Sequence, residues 1–240
     1  IKNCVHDIIS ANGLIDVIIP RGSANLINFV RRSASVPVIE TGSGVCHTYV
    51  DEEALLDQSA EIIFNAKTSR PSVCNALDTT VIHKGVAAEF LPKIAKLLKH
   101  KKVEIFADQE SFRILKNIYP KNLLKEASTV DFGREFLSLK MSVKIVRNID
   151  EAIKFISRYS SKHSEAILTE NKKKAERFLR EIDAAVVYVN ASTRFSDGAV
   201  FGLGSEIGIS TDKIHARGPM GTSEMTTYKW IVVGKYNIRI

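Results

Sequence analysis

The sequence predicts an α/β protein built on a parallel sheet. Three observations carry this. Short apolar runs alternate with segments of helical periodicity from Leu14 to Asn190. The runs are continuously apolar, as in strands covered on both faces. The segments between them are long enough to cross back over a sheet, as parallel pairing demands. At 240 residues, 45% hydrophobic and 25% charged, the chain can bury a substantial core in one large domain or two modest ones. No apolar run approaches the roughly 20 residues needed to span a bilayer.

The elements follow in order. "IKNCVHDIISANG" reads as the last turns of a helix ending at Asn12-Gly13, and the chain opens at Ile1 without methionine. Sequence upstream is therefore expected. "LIDVIIP" (Leu14 to Pro20) is a buried strand, "ANLINFVRRSA" a helix and "VPVIE" the next strand. The glycines of "TGSG" break regular structure. "VCHTYV" reads as a strand whose neighbours Cys46 and His47 point to opposite faces, so they do not form a site together. Asp51 is a candidate N-cap for "EEALLDQSAEIIFNAKT". "TTVIH" is a short strand. "GVAAEFLPKIAKLLKH" is a helix expected to kink or break at Pro92. "KVEIFA", "LSLKMSVKIV", "EAILTE" and "AAVVYVN" are strands; "DQESFRILKN", "DEAIKFISRYSSKH" and "KKKAERFLREI" are helices, with Asp150 near the start of the second. "ASTRFSDGAVFGLGSEIGIST" has no period, and long irregular stretches in compact domains are usually functional. The tail "TTYKWIVVGKYNIRI" reads as a terminal strand or hairpin that pairs with another subunit.

Composition narrows the function classes. Cys4, Cys46 and Cys74 form no C-x-x-C pair, which argues against a disulfide framework and for a reducing, cytoplasmic setting. No Cys/His set has metal-ligand spacing, so no metal is expected. The net charge of +7 suits nucleic acid or a pocket for phosphorylated or carboxylated small molecules. Its clusters, "KLLKHKK" and "NKKKAERFLR", lack the interleaved aromatics that stack on bases. Solvated helix faces are the favoured reading, with neither nucleic acid nor membrane as a partner.

Cys74 lies in "NAKTSRPSVCNALDTTVIH". Taken alone it reads as a small buried side chain. Its neighbours favour a nucleophile. Lys67 and Arg70 stand upstream, and "VCNAL" resembles a first helical turn whose free N–H groups would lower the thiol pKa.

"IDVIIPRGS", "VPVIETGSGVCHTYVD", the Cys74 stretch, "ASTRFSDGAVFGLGSEIGIST", "HARGPMG" and "TTYKW" together resemble, in order, the gamma-glutamyl phosphate reductase (glutamate-5-semialdehyde dehydrogenase) family of the aldehyde dehydrogenase superfamily. The resemblance implies an aldehyde dehydrogenase-like fold. Residues 1–42 would be the end of a cofactor-binding, Rossmann-type domain truncated at its N-terminus. Residues 43–212 would be the α/β catalytic domain, and 213–240 a return segment with an oligomerisation strand. It implies NADPH-dependent reduction of gamma-glutamyl phosphate through a Cys74 thioester, in proline biosynthesis. It also implies a homo-oligomer, with functional coupling to a glutamate kinase.

By position, Cys74 matches the family's nucleophile, and Glu40 matches the general base of aldehyde-oxidising relatives. Arg21, Gly22 and Ser23 lie near the cofactor, and Glu135 matches a ribose-binding glutamate. Asn190, Ser192, Thr193, Arg194, Asp197 and Gly198 belong to the substrate loop, where Arg194 suits anions and Asp197 an amine. His215, Arg217 and Gly218 serve either phosphate or a subunit contact. The family's enzymes are longer, so a chain starting at Ile1 is expected to bind NADPH weakly and to leave an unpaired sheet edge. Two alternatives stand beside the reductase: an aldehyde-oxidising dehydrogenase, which "ETGSGVCH" and "RPSVCNA" disfavour, and a non-catalytic scaffold.

Overall fold

In the computed structural model, which describes residues 2–214 and 216–239, two helices come first, α1 (Lys2–Ile9) and α2 (Ala24–Ser33). A regular alternation follows: β1 (Cys46–Val50), α3 (Leu56–Thr68), β2 (Leu77–His83), α4 (Lys84–His100), β3 (Glu104–Ala107), α5 (Gln109–Leu115) and β4 (Leu124–Glu126). It continues through β5 (Lys140–Val146), α6 (Ile149–Tyr159), β6 (Ser164–Leu168), α7 (Lys172–Glu181) and β7 (Val186–Val189). These seven strands form one sheet in the order β4-β3-β5-β2-β1-β6-β7, with every pair parallel. A small antiparallel pair, β8 (Gly208–Ser210) and β9 (Gly218–Met220), follows.

The period of two along the strands sorts the core into two layers. Val50, Ile82, Met141, Val143 and Ile145 face α3, α4 and α5, where Phe90, Leu91 and Leu98 are fully buried. Tyr49, Val81, Val146 and Ile167 face the opposite way, against α6 and α7, through Ile156 and Phe178. Burying one such side chain contributes about 1.5–3 kcal/mol. The helices of the two layers therefore lie on opposite faces of the sheet.

Two expectations change, at Leu14 to Pro20 and at Asp51, and the structure adds detail at Pro92 and in the tail. The run Leu14 to Pro20 is not a buried strand. It makes only a parallel bridge, Ile18 to Val38, and Leu14 is exposed, because no further strand flanks it among the described residues. Asp51 does not cap α3. The helix starts at Leu56 behind Leu55, without a side-chain cap, and Asp51 is drawn instead toward β6 and α7. Pro92 does not break α4, which runs unbroken through 17 residues. Pro92 and Ala88 both face water, so the carbonyl freed by the missing N–H is solvated. The tail from Thr226 to Arg239 forms no strand, and Tyr228, Trp230, Val232 and Val233 are exposed. No helix among the described residues is long and apolar enough to cross a membrane.

Candidate active site

Cys74 precedes β2, Gly44 precedes β1, and Glu135 precedes β5. All three meet at the amino-terminal end of the sheet, where Cys74 and Glu135 line a cavity of about 610 Å³. The backbone there is tightly drawn. A Cβ on Gly44 would lie 1.6 Å from the Cys74 carbonyl oxygen, so only glycine lets the two loops touch. The Gly44 N–H donates to Glu135 Oε1 at 2.8 Å. Behind them, the carboxylate of Asp78, on β2, accepts from the Cys46 N–H at 3.4 Å and the Phe136 N–H at 3.0 Å. One carboxylate thus fixes the loops that carry Gly44 and Glu135.

The floor is a buried polar layer. Lys67 is fully enclosed, with Nζ 3.8 Å from Asp78 Oδ1. Burial pulls its pKa down, and Asp78 only partly restores it. Burial pushes Asp78 up to about 6, against the pull of Lys67. His47 Nδ1 lies 3.1 Å from Glu165 Oε2, and His47 Nε2 lies 3.3 Å from the Phe132 carbonyl. Burial presses His47 toward the neutral form, but Glu165 outweighs it and the pKa ends above the ordinary value. Both ring nitrogens face acceptors, which is the pattern of an imidazolium. Cys46 turns the other way. Its thiol donates to the Cys74 carbonyl at 3.3 Å, and burial raises its pKa well above the ordinary range.

Cys74 itself departs from the sequence expectation. Residues Pro71 to Ala76 form turns rather than a first helical turn, so no helix N-terminus faces the sulfur. Lys67 is turned toward Asp78, 3.8 Å away. The thiol pKa is pushed up to about 11, first by burial, then by Glu206 and Glu135, while Arg194 pulls it down less.

Arg21, Gly22 and Ser23 line the same cavity, with Arg70, Arg194 and Asp197. Ser23 caps α2 by accepting from the Leu26 N–H, and the Arg21 guanidinium donates to the Ile207 carbonyl. Arg194 donates to Ser69 Oγ and to Asn75 Oδ1, which aims its guanidinium across the Cys74 loop. Ser192 and Thr193 act one step behind: Ser192 accepts from the Arg194 N–H, and Thr193 donates to the Asn75 carbonyl at 2.8 Å. The Gly198 N–H donates to Glu206. Ser192, Thr193 and Gly198 stand behind the cavity wall, and Glu40 and Asn190 lie away from it. Glu40 is turned to Arg31, 3.2 Å away. Asn190 sits at the far end of the sheet, bonded to the Thr169 backbone with φ +53°. His215 lies outside the described residues; Arg217 pairs with Asp183. Sequence reasoning missed Glu206 and Asn75, both in the cavity wall. The signal for Glu206 was a lone carboxylate in the glycine-rich irregular stretch; Asn75 had none beyond adjacency to Cys74.

The comparisons bear on this geometry. No family model matches the chain. The gamma-glutamyl phosphate reductase of Pelodictyon phaeoclathratiforme is 57% identical over 231 residues, 96% of this chain and 55% of that protein. Over the residues it spans, the chain belongs to the gamma-glutamyl phosphate reductase family. The crystal structure of the family member from Thermotoga maritima superposes with a TM-score of 0.92 at 47% identity, covering 100% of this chain and 56% of that one. An acetylating aldehyde dehydrogenase from Geobacillus thermoglucosidasius shares the fold alone: TM-score 0.73 at 16% identity, over 98% of this chain and 60% of that one. The chain spans about half the length of the curated reductases it matches.

Proposed function

We propose that this chain carries the catalytic half of an NADPH-dependent reductase that converts gamma-glutamyl phosphate to glutamate-5-semialdehyde and phosphate, in proline biosynthesis. The observation that carries the reading is the meeting of Cys74, Arg194 and Glu135 on one cavity in a member of that family. In this reading residues 1–42 end the cofactor domain, 43–212 form the catalytic domain, and 213–240 hold the oligomerisation tail. The exposed apolar side chains of that tail fit a contact with a second copy.

Cys74 loses its proton and its sulfur attacks the acyl carbonyl; the carbonyl–phosphate bond breaks and a thioester forms. Glu135 and Glu206, the carboxylates that raise the thiol pKa, also line the cavity and are the candidates to take the proton. Arg194 and Arg70 offset the phosphate and α-carboxylate charges, and Asp197 receives the amine. Glu40, facing Arg31, holds the base of the α2 segment rather than a proton of the reaction. The donor set fits the nicotinamide half of the cofactor: Glu135 keeps one oxygen free for ribose hydroxyls, beside the Ser23 and Ser43 hydroxyls. When bound, NADPH supplies the hydride that reduces the acyl group. Collapse of the resulting thiohemiacetal returns the electron pair to Cys74 sulfur and releases the aldehyde.

The test is Cys74→Ser in the full-length protein that contains this chain. Semialdehyde formation from the acyl phosphate should fall at least a thousandfold, while NADPH binding is retained. An undiminished rate would end the proposal. The aldehyde-oxidising alternative is separated by supplying aldehyde and NADP+ without phosphate, where the reductase should turn over slowly or not at all.

A further inference from the structure

The sheet has a second end. Open parallel sheets take ligands outside the carboxyl ends of strands whose outgoing connections part to opposite faces. Cys74 lies at the amino end, so that position is unclaimed. The strand order puts such partings on both sides of β5 and between β1 and β6. From β2 and β3 the chain leaves to α4 and α5 on one face, and from β5 to α6 on the other. The parting at β1 and β6 is plugged. Lys174 Nζ reaches Asp51 at 3.1 Å, Glu52 at 2.8 Å and Glu53 at 3.1 Å. At β5 it is open: a cleft of about 560 Å³ starts there, at Lys144 to Arg147, and runs back along α6 to Tyr159, within the range of small-molecule sites.

The cleft has two kinds of wall. Phe132, Phe155 and Tyr159 form an aromatic cluster, with Phe132 and Phe155 centroids 5.2 Å apart and Phe155 and Tyr159 4.8 Å apart. Five cations line the remainder. Lys144 and Arg147 are paired, with Asp108 at 2.8 Å and with Glu151. Lys84 meets Glu110 only at 3.9 Å between exposed groups, a contact of little strength. Lys154 and Arg158 have no carboxylate partner among the described residues, and Arg158 lies over the Tyr159 ring at 5.3 Å. α4 opens at Lys84 with no acidic residue in its first turn, so its dipole adds to the positive field.

We infer that this cleft is a second ligand site, for an anion that carries a flat ring, the class of a nucleoside diphosphate. The ring packs on Phe155 and Tyr159, and Lys154, Arg158 and Lys84 meet the phosphates. The inference does not rest on the Cys74 reading, because the two cavities share no lining residue.

Calorimetric titration of the full chain with ADP tests it. Binding should be saturable, at least tenfold tighter than adenosine or inorganic phosphate, and at least tenfold weaker in Lys154→Glu/Arg158→Glu. Both positions are exposed; should charge reversal disturb the fold, Lys154→Gln/Arg158→Gln is the deciding pair, with a loss of at least threefold. Cys74→Ser should leave ADP affinity unchanged. Absence of saturable ADP binding overturns the inference. So does affinity untouched by either pair, since the nucleotide then sits elsewhere, the Cys74 cavity included.

Discussion

At the residue scale, the decisive fact is that charge around Cys74 opposes its thiolate. Burial and two carboxylates outweigh Arg194, so the thiol stays protonated near neutral pH. Alkylation of Cys74 by iodoacetamide should therefore rise about tenfold per pH unit from pH 7 to 10 and level off only near 11. Glu206→Gln removes a charge that raises the pKa while its amide oxygen can still accept from Gly198, so alkylation at pH 8 should quicken severalfold. Mass spectrometry of the Cys74 peptide reads both. A plateau below pH 8 would show that the cations win instead. The sequence named the nucleophile position from its motif but misjudged its electrostatics, for a three-dimensional reason. Lys67 is seven residues upstream, yet its ammonium points beneath the sheet to Asp78, while Glu135 and Glu206, 61 and 132 residues away, close on the sulfur.

At the scale of elements, β1 and α7 are tied by one ion network. Asp51, at the end of β1, accepts from Tyr49 at 3.0 Å, Thr169 at 2.9 Å and Lys174 at 3.1 Å. Burial alone would raise its pKa, but these donors, Lys174 foremost, hold it below the ordinary carboxylate value. Lys174→Met should cost about 3 kcal/mol in urea unfolding at pH 7, since it strands a buried carboxylate. A depressed carboxylate stabilises the fold above its unfolded pKa and ceases to as pH falls through the folded one. The gap between variant and parent should therefore narrow below about pH 4; a gap constant down to pH 3 would rule out the electrostatic origin. Elements with strong periodicity, such as α4, α6 and β5, were legible in the sequence. Asp51 was not. Its position before a helical pattern is what an N-cap looks like, and only the pairing of β1 with β6 reveals its true partners.

At the scale of the whole molecule, the parallel sheet was legible because strands covered on both faces leave continuous apolar runs. The Leu14 to Pro20 run shows the limit of that rule: apolar content announces a strand, but only neighbours make it one. The polar layer beneath Cys74 has a consequence for the folded state as a unit. The Lys67 amine is sealed between α3 and the sheet, and burial favours its uncharged form, the form that reacts with acylating reagents. Acetic anhydride should modify the many surface lysines within minutes yet reach Lys67 only when the domain opens entirely. Its acetylation rate, followed peptide by peptide across a urea series, should track the fully unfolded population; early labelling would mean that α3 detaches before the remainder. A single hidden amine thus serves as a built-in clock for cooperative opening.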